Sequence, residues 1–262
     1  MIGRIATFLY GIVCYLIFFA SFLWAIAFLG DFGLARSMDS APQGPAGPAL
    51  VIDALLLAAF ALQHSIMARP WFKRAWTRII PPAAERSTYV LFSSLALLLL
   101  FWQWRPIGGF VWQVDSQLGR GLINAVYAAG WALLLVATFL INHFDLFGLR
   151  QVYLHLVGRE YTQLPFRTPA FYRYVRHPIY FSWLCIFWAA PVMTTAHLVF
   201  AVATTAYILI AIPLEEHDLE GIHGDAYRNY KHEVPKILPW RFNKRPVGGA
   251  QPAIELSSRA TD

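Results

Sequence analysis

Stretches of about 20 residues with almost no charge recur along this chain, and each is long enough to cross the hydrocarbon core of a bilayer as a helix. Four are complete in themselves: Ile5–Leu29, Leu50–Met67, Ser87–Trp104 and Leu122–Ile141. Backbone in lipid has no water to bond, so such stretches must satisfy their own N–H and C=O groups, which a helix does within one segment. A fifth apolar stretch, Tyr180–Pro213, is too long for one crossing. Pro191 and the Thr194–Thr195 pair interrupt it, which predicts a helical hairpin with arms Tyr180–Ala190 and Ala196–Ile212 and both ends on one side. The expected fold is all-α: a polytopic integral membrane bundle of four spans plus a C-terminal helical hairpin, five to six membrane helices in total. Composition excludes the main alternative, because 58% of residues are hydrophobic and only 14% charged, against about a quarter charged in soluble domains. Arg4 precedes the first stretch as it would in a signal peptide, but the apolar run exceeds the roughly 7–15 residues of such segments, so it reads as a retained span.

With the N-terminus inside, all but three of the 21 Lys and Arg residues fall in the N-terminus, connections and tail on that side; the exceptions are Arg36, Arg105 and Arg120. The positive-inside rule then places both termini in the cytoplasm. The same distribution explains the net charge of +6 better than a nucleic-acid partner does, and none is expected. Cys14 and Cys185 lie in apolar runs without CxxC spacing, and His64, His143 and His177 lack ligand spacing, so no disulfide framework and no metal is expected. The Pro/Gly-rich segment Gly30–Ala49 reads as an irregular outer loop, and the polar stretch Pro246–Asp262 as a disordered tail.

Polar groups at the ends of membrane helices are expensive and need a reason. Three clusters stand out. In Arg173–Tyr180, Pro178 suits the first turn of a helix and His177 its cap; the free N–H groups beyond would form an anion site beside Arg176. The alternative makes Arg173 and Arg176 membrane-surface anchors. At Glu215–Glu216, adjacent carboxylates oppose the positive-inside bias; they accept hydrogen bonds as a ribose diol requires, or they pair with nearby arginines. Tyr227 and Tyr230 are three apart and share a helical face, either to cover an adenine or sugar edge or to pack the tail down.

Taken together, RHPIY at Arg176–Tyr180, the hairpin, the paired glutamates and GDAYRNYKHEVPKILP at Gly224–Pro239 resemble the cofactor half of the isoprenylcysteine carboxyl methyltransferase superfamily. The resemblance implies that the hairpin and C-terminal segment enclose S-adenosylmethionine, with Arg176, His177, Pro178, Tyr180, Glu215, Glu216, Tyr227 and Tyr230 around it. FALQHSIMARPWFK at Phe60–Lys73, ERSTYVLFSSLALLLLFWQWRP at Glu85–Pro106 and TFLINHFDLFGLRQVYLHLVGREY at Thr138–Tyr161 are similar to the bacterial membrane methanethiol S-methyltransferases. Residues from about 50 to 240 are then covered. The implied division is 1–143 as N-terminal spans with part of the substrate pocket, 144–245 as the cofactor-binding half and 246–262 as tail. The implied reaction turns methanethiol, or another small thiol, into its methyl sulfide at a bacterial inner membrane, from a site facing the cytoplasm.

A thiol is a poor nucleophile until it becomes thiolate, and apolar burial disfavours that charge, so a base or cation is needed beside it. Candidates are His64 on the second span, His143 with Asp145 at the end of the fourth, and Arg150 nearby. His143 and Asp145 are two apart and diverge on a regular helix, but an irregular helix end lets them converge. His64 has a plainer alternative as a buried histidine satisfied by Ser65, backbone or Glu85, and Arg150 either binds cofactor or steadies thiolate. Other readings of the chain are a methyltransferase with another acceptor (isoprenylcysteine carboxylate or lipid amine), a sterol-reductase-type enzyme, and a non-catalytic haem-binding or denitrification accessory protein. The resemblance of the first 160 residues favours the thiol.

Overall fold

The computed structural model describes residues 1–34, 36–42 and 44–239. The expected tail from Pro246 to Asp262 lies outside them. In chain order the helices are α1 (Ile2–Leu29), α2 (Ala46–Ala68), α3 (Pro70–Trp76), α4 (Glu85–Gln103), α5 (Gln117–Ile141), α6 (His143–Leu146), α7 (Leu149–Leu156), α8 (Pro178–Trp188), α9 (Thr195–His223) and α10 (Asp225–Glu233). Five of them (α1, α2, α5, α9, and α4 with the turn before it) are long and apolar enough to cross a membrane, and α8 is a shorter apolar helix. The fold is thus the expected integral membrane bundle of helices. Its outer surface carries Leu9, Leu55, Leu62, Leu122 and Ile210, all exposed, as a lipid-facing coat requires.

Caps set the helix starts. Ser116 accepts the Gly119 N–H at 3.1 Å ahead of α5, and Thr194 accepts the His197 N–H at 3.1 Å ahead of α9. The hairpin forms where it is expected, but its second arm does not stop at Ile212. Helix α9 runs through Pro213 to His223. A proline inside a membrane helix removes one ladder bond, from the Leu209 carbonyl, and the helix formers on both sides of it continue the turn.

Two short strands were not legible in the sequence. β1 (Phe110–Gln113), in the α4–α5 connection, pairs antiparallel with β2 (Val192–Thr194) at the hairpin tip, matching Phe110 with Thr194 and Gln113 with Val192. Asp39, in the irregular α1–α2 loop, joins them: its carboxylate lies 2.9 Å from His197 Nδ1 and accepts the Thr194 hydroxyl at 2.6 Å. All three connections at that end of the bundle are therefore tied together, and both the start of α1 and the end of α9 lie at the opposite end.

Helix α5 packs along α8, α1 and α2 flank α4, and α7 leans on α1. The α5–α8 contact is close because Gly130 carries no side chain. A Cβ there would stand 2.9 Å from the Ile186 side chain and 3.3 Å from the Ser182 carbonyl. Gly130→Leu is expected to lower the unfolding temperature in detergent, with an overpacking cost of ~1–3 kcal/mol. Gly121→Ala, where a Cβ meets nothing within 4 Å, serves as the control and should leave it unlowered.

Candidate active site

Helix α8 begins as the sequence suggests, with Pro178 in its first turn and His177 at the cap position. The backbone N–H groups of Arg176 and His177 bond to the carbonyls of Pro235 and Lys236 at 2.9 and 3.0 Å, so the hairpin entrance is stitched to the segment after α10. The Arg176 side chain forms the arginine–glutamate pairing that was one of the two readings of the adjacent carboxylates. Its Nε and Nη2 lie 2.9 and 2.8 Å from Glu216 Oε1, and Nη1 donates to the carbonyls of Lys231 and Val234. His177 Nε2 sits 3.1 Å from the same Glu216 oxygen, and Lys231 Nζ 3.4 Å from the other. Arg176 and Glu216 thus pair with each other, because α9 continues past Pro213 and carries Glu216, only 2% exposed, to the guanidinium, while Arg176 still borders the cavity.

One residue earlier on the helix the environment is reversed. Glu215 is half-exposed and faces a cavity of about 2150 Å³ enclosed by α1, α2, α4, α5, α8 and α9. It accepts the Tyr180 hydroxyl at 2.6 Å, and the His177 ring stacks on Tyr180 at 5.3 Å. Beside it, the N–H groups of Ile179 and Tyr180 have no acceptor among the described residues. Phe166, Tyr172, Tyr227 and Tyr230 form an aromatic wall at the same end. Burial and the Glu215 carboxylate raise the Tyr172 pKa above the ordinary phenol value, and burial does the same to Tyr227 and Tyr230, so all three stay neutral. Tyr227 and Tyr230 pack with Phe166 and Val234, and both also line the cavity.

Deeper in the cavity, α2 and α4 bring His64 between two hydroxyls. The Tyr89 hydroxyl lies 2.8 Å from its Nε2 and 3.0 Å from its Nδ1, Ser93 Oγ lies 3.1 Å from Nδ1, and Phe60 stacks on the ring at 5.3 Å. Ser65 meets Tyr207 of α9 at 3.0 Å instead of bonding His64. Tyr89, Ser93 and Tyr207 were missed in the sequence. A signal existed, since Tyr89 and Ser93 are four apart and therefore share one face of an otherwise apolar span.

His143 and Asp145 do not converge. Thr138 donates its hydroxyl to the Leu135 carbonyl at 2.7 Å, so its lone pair takes the His143 Nδ1–H at 2.9 Å. That leaves His143 Nε2 to accept the Tyr15 hydroxyl at 2.9 Å. Phe139 stacks on the ring at 4.2 Å, and burial holds its pKa below the ordinary value, keeping it neutral. Asp145 turns the other way, because Asn142 at φ 145° breaks the helix just before it. It pairs with Arg150 at 2.9 Å and accepts the Tyr161 hydroxyl at 3.3 Å. Arg150 also bonds the Thr162 carbonyl and hydroxyl at 2.9 and 3.0 Å, and it is not among the cavity-lining residues. It pins the irregular segment that borders the cavity mouth.

The chain is 55% identical over 239 residues to a methanethiol S-methyltransferase from Crocosphaera subtropica, covering 91% of this chain and 94% of that one. It is 50% identical to the Mycobacterium tuberculosis methanethiol S-methyltransferase, over 90% and 97% of the two chains. The chain belongs to the methanethiol S-methyltransferase family. A more distant relative outside that family is nurim from Xenopus laevis, 31% identical over 76% of this chain and 70% of its own. No family model and no solved structure matches the chain. Family membership carries with it a methyl donor and an acceptor, and one cavity here offers room for both.

Neutralising one partner of a buried ion pair leaves the other charge uncompensated, at about 3–5 kcal/mol. Glu216→Gln should therefore lower the unfolding temperature and open the α10 region to limited proteolysis, with Glu215→Gln unchanged in both assays.

Proposed function

We propose that this family member transfers a methyl group from S-adenosylmethionine to methanethiol, giving dimethyl sulfide, in a cavity open toward the cytoplasmic side. The observation that carries this reading is the joining, in one cavity, of a carboxylate-and-aromatic end (Glu215, Tyr180, Phe166, Tyr172, Tyr227) to a histidine held between hydroxyls (His64, Tyr89, Ser93).

The residues fit the cofactor. Among the described residues Glu215 Oε1 accepts no hydrogen bond, which suits it to a ribose diol or to a cationic group. The free N–H groups at the start of α8 suit the carboxylate of its amino-acid portion, and the tyrosine and phenylalanine faces suit adenine. When bound, the cofactor supplies an electrophilic methyl on a sulfonium. The positive-inside distribution of lysine and arginine supports a cytoplasmic mouth for a polar cofactor, while a volatile apolar thiol reaches the cavity through lipid.

His64 is the better base of the two histidines. Both of its partners are hydroxyls able to donate or accept, so either ring nitrogen can take a proton without leaving a neighbour unpaired. It removes the thiol proton, and the Tyr89 hydroxyl donates to the thiolate that forms. His143, with its basic nitrogen covered by Tyr15 and its other nitrogen held by Thr138, serves as a positioning residue at the joint between α5 and α6. Asp145 and Arg150 position the segment bordering the mouth. The surrounding apolar spans exclude water, which raises the nucleophilicity of a desolvated thiolate and keeps it aligned with the methyl.

Headspace gas chromatography of the detergent-purified protein with methanethiol and S-adenosylmethionine should show cofactor-dependent dimethyl sulfide. His64→Ala should lower kcat by ~10²–10⁴-fold while binding of labelled cofactor persists. Glu215→Gln should weaken that binding. No dimethyl sulfide from folded protein overturns the proposal.

A further inference from the structure

The cavity does not end at His64 and Tyr89. Along α4 its wall steps from Tyr89 through Ser93 and Leu97 to Phe101, one residue per turn, a run of about 18 Å at the helical rise. Along α9 it steps from Glu215 through Ile208 and Thr204 to Phe200, a run of about 22 Å. Past Ser93 and Ser94 the α4 wall is apolar, lined by Leu97, Leu100 and Phe101. Thr204 turns its hydroxyl back to the Phe200 carbonyl at 2.6 Å and so presents its methyl. At the far end Phe101, Phe187 and Phe200 are all buried, and Phe187 meets Phe200 edge to face at 5.2 Å, closing the arm. A one-carbon thiol beside His64 fills only the first few ångström of this space.

We propose that the arm is an alkyl subsite and that the protein methylates unbranched alkanethiols of several carbons, such as 1-butanethiol and 1-hexanethiol, at the same reaction centre. This rests on the proposed thiol methyltransferase function. The thiol proton passes to His64 and the thiolate sulfur forms a bond to the methyl carbon. The methyl–sulfonium bond of S-adenosylmethionine breaks with its electron pair returning to the donor sulfur, leaving a neutral thioether on each side. The polar requirements at His64 and Tyr89 are the same for every chain length, because the alkyl group touches only apolar wall. Each methylene moved from water into that wall favours binding about fourfold.

The test compares methanethiol, 1-butanethiol and 1-hexanethiol as acceptors for the purified full chain with S-adenosylmethionine, with the methyl thioethers measured by gas chromatography. Referred to free aqueous thiol, kcat/KM is expected to rise with chain length. Leu97→Trp and, independently, Ala25→Leu narrow the arm and should lower the hexanethiol-to-methanethiol ratio at least tenfold. Methylation of methanethiol without methylation of hexanethiol, the result expected if a lipid chain fills the arm, overturns the inference and leaves the proposed function standing. A ratio unmoved in both folded variants also overturns it. Failure to methylate any thiol overturns the proposed function and the inference with it.

Discussion

A buried ion pair holds the two halves of the site in register. Arg176 at the start of the hairpin and Glu216 near its return face each other out of water, and the arginine reaches on to the carbonyls at the end of α10. Such a pair is costly to desolvate and tolerable only when every donor and acceptor is matched, which His177 and Lys231 help to do here. Because Glu216 is held inward, Glu215 beside it must point elsewhere along the helix, into the cavity. Adjacent glutamates therefore meet different surroundings, Glu216 the guanidinium and Glu215 the cavity.

The same arrangement explains how a polar pocket survives inside an apolar bundle. The spans turn leucines and phenylalanines outward to lipid and reserve their few hydroxyls and histidines for the interior. Tyr89, Ser93, Ser65 and Tyr207 find one another or His64 across three helices, so these polar groups of the cavity wall partner one another. At the other end of the bundle, Asp39, His197 and the small β1–β2 pairing tie the connections together. The start of α1 and the end of α9 lie at the opposite end, beside Glu215 and the aromatic wall of the cavity.

Much of the fold was legible because a bilayer reduces the choices. A run of apolar residues of spanning length has one ordinary solution, and the interruption near Pro191 marked the hairpin tip correctly. Pro213 misled, since in water a proline is a fair sign of a helix end, whereas in lipid the alternative to a slightly defective helix is unsatisfied backbone. β1 and β2 were illegible because each is too short to show a period and exists only through the other.

The sequence by itself determined the class of molecule, the membrane-spanning stretches and the family, since these follow from hydropathy, charge distribution and local motif. Only the tertiary structure decided which of the candidate residues face the cavity. Glu216 turns away from the cavity to pair with Arg176 at its edge; His64, with a plain alternative as a buried core residue, lies on the cavity wall; Asp145 swings from His143 to Arg150 at the Asn142 break. The reason is that spacing along a chain fixes which side of its own helix a residue occupies, whereas a partner on another helix fixes what that side meets.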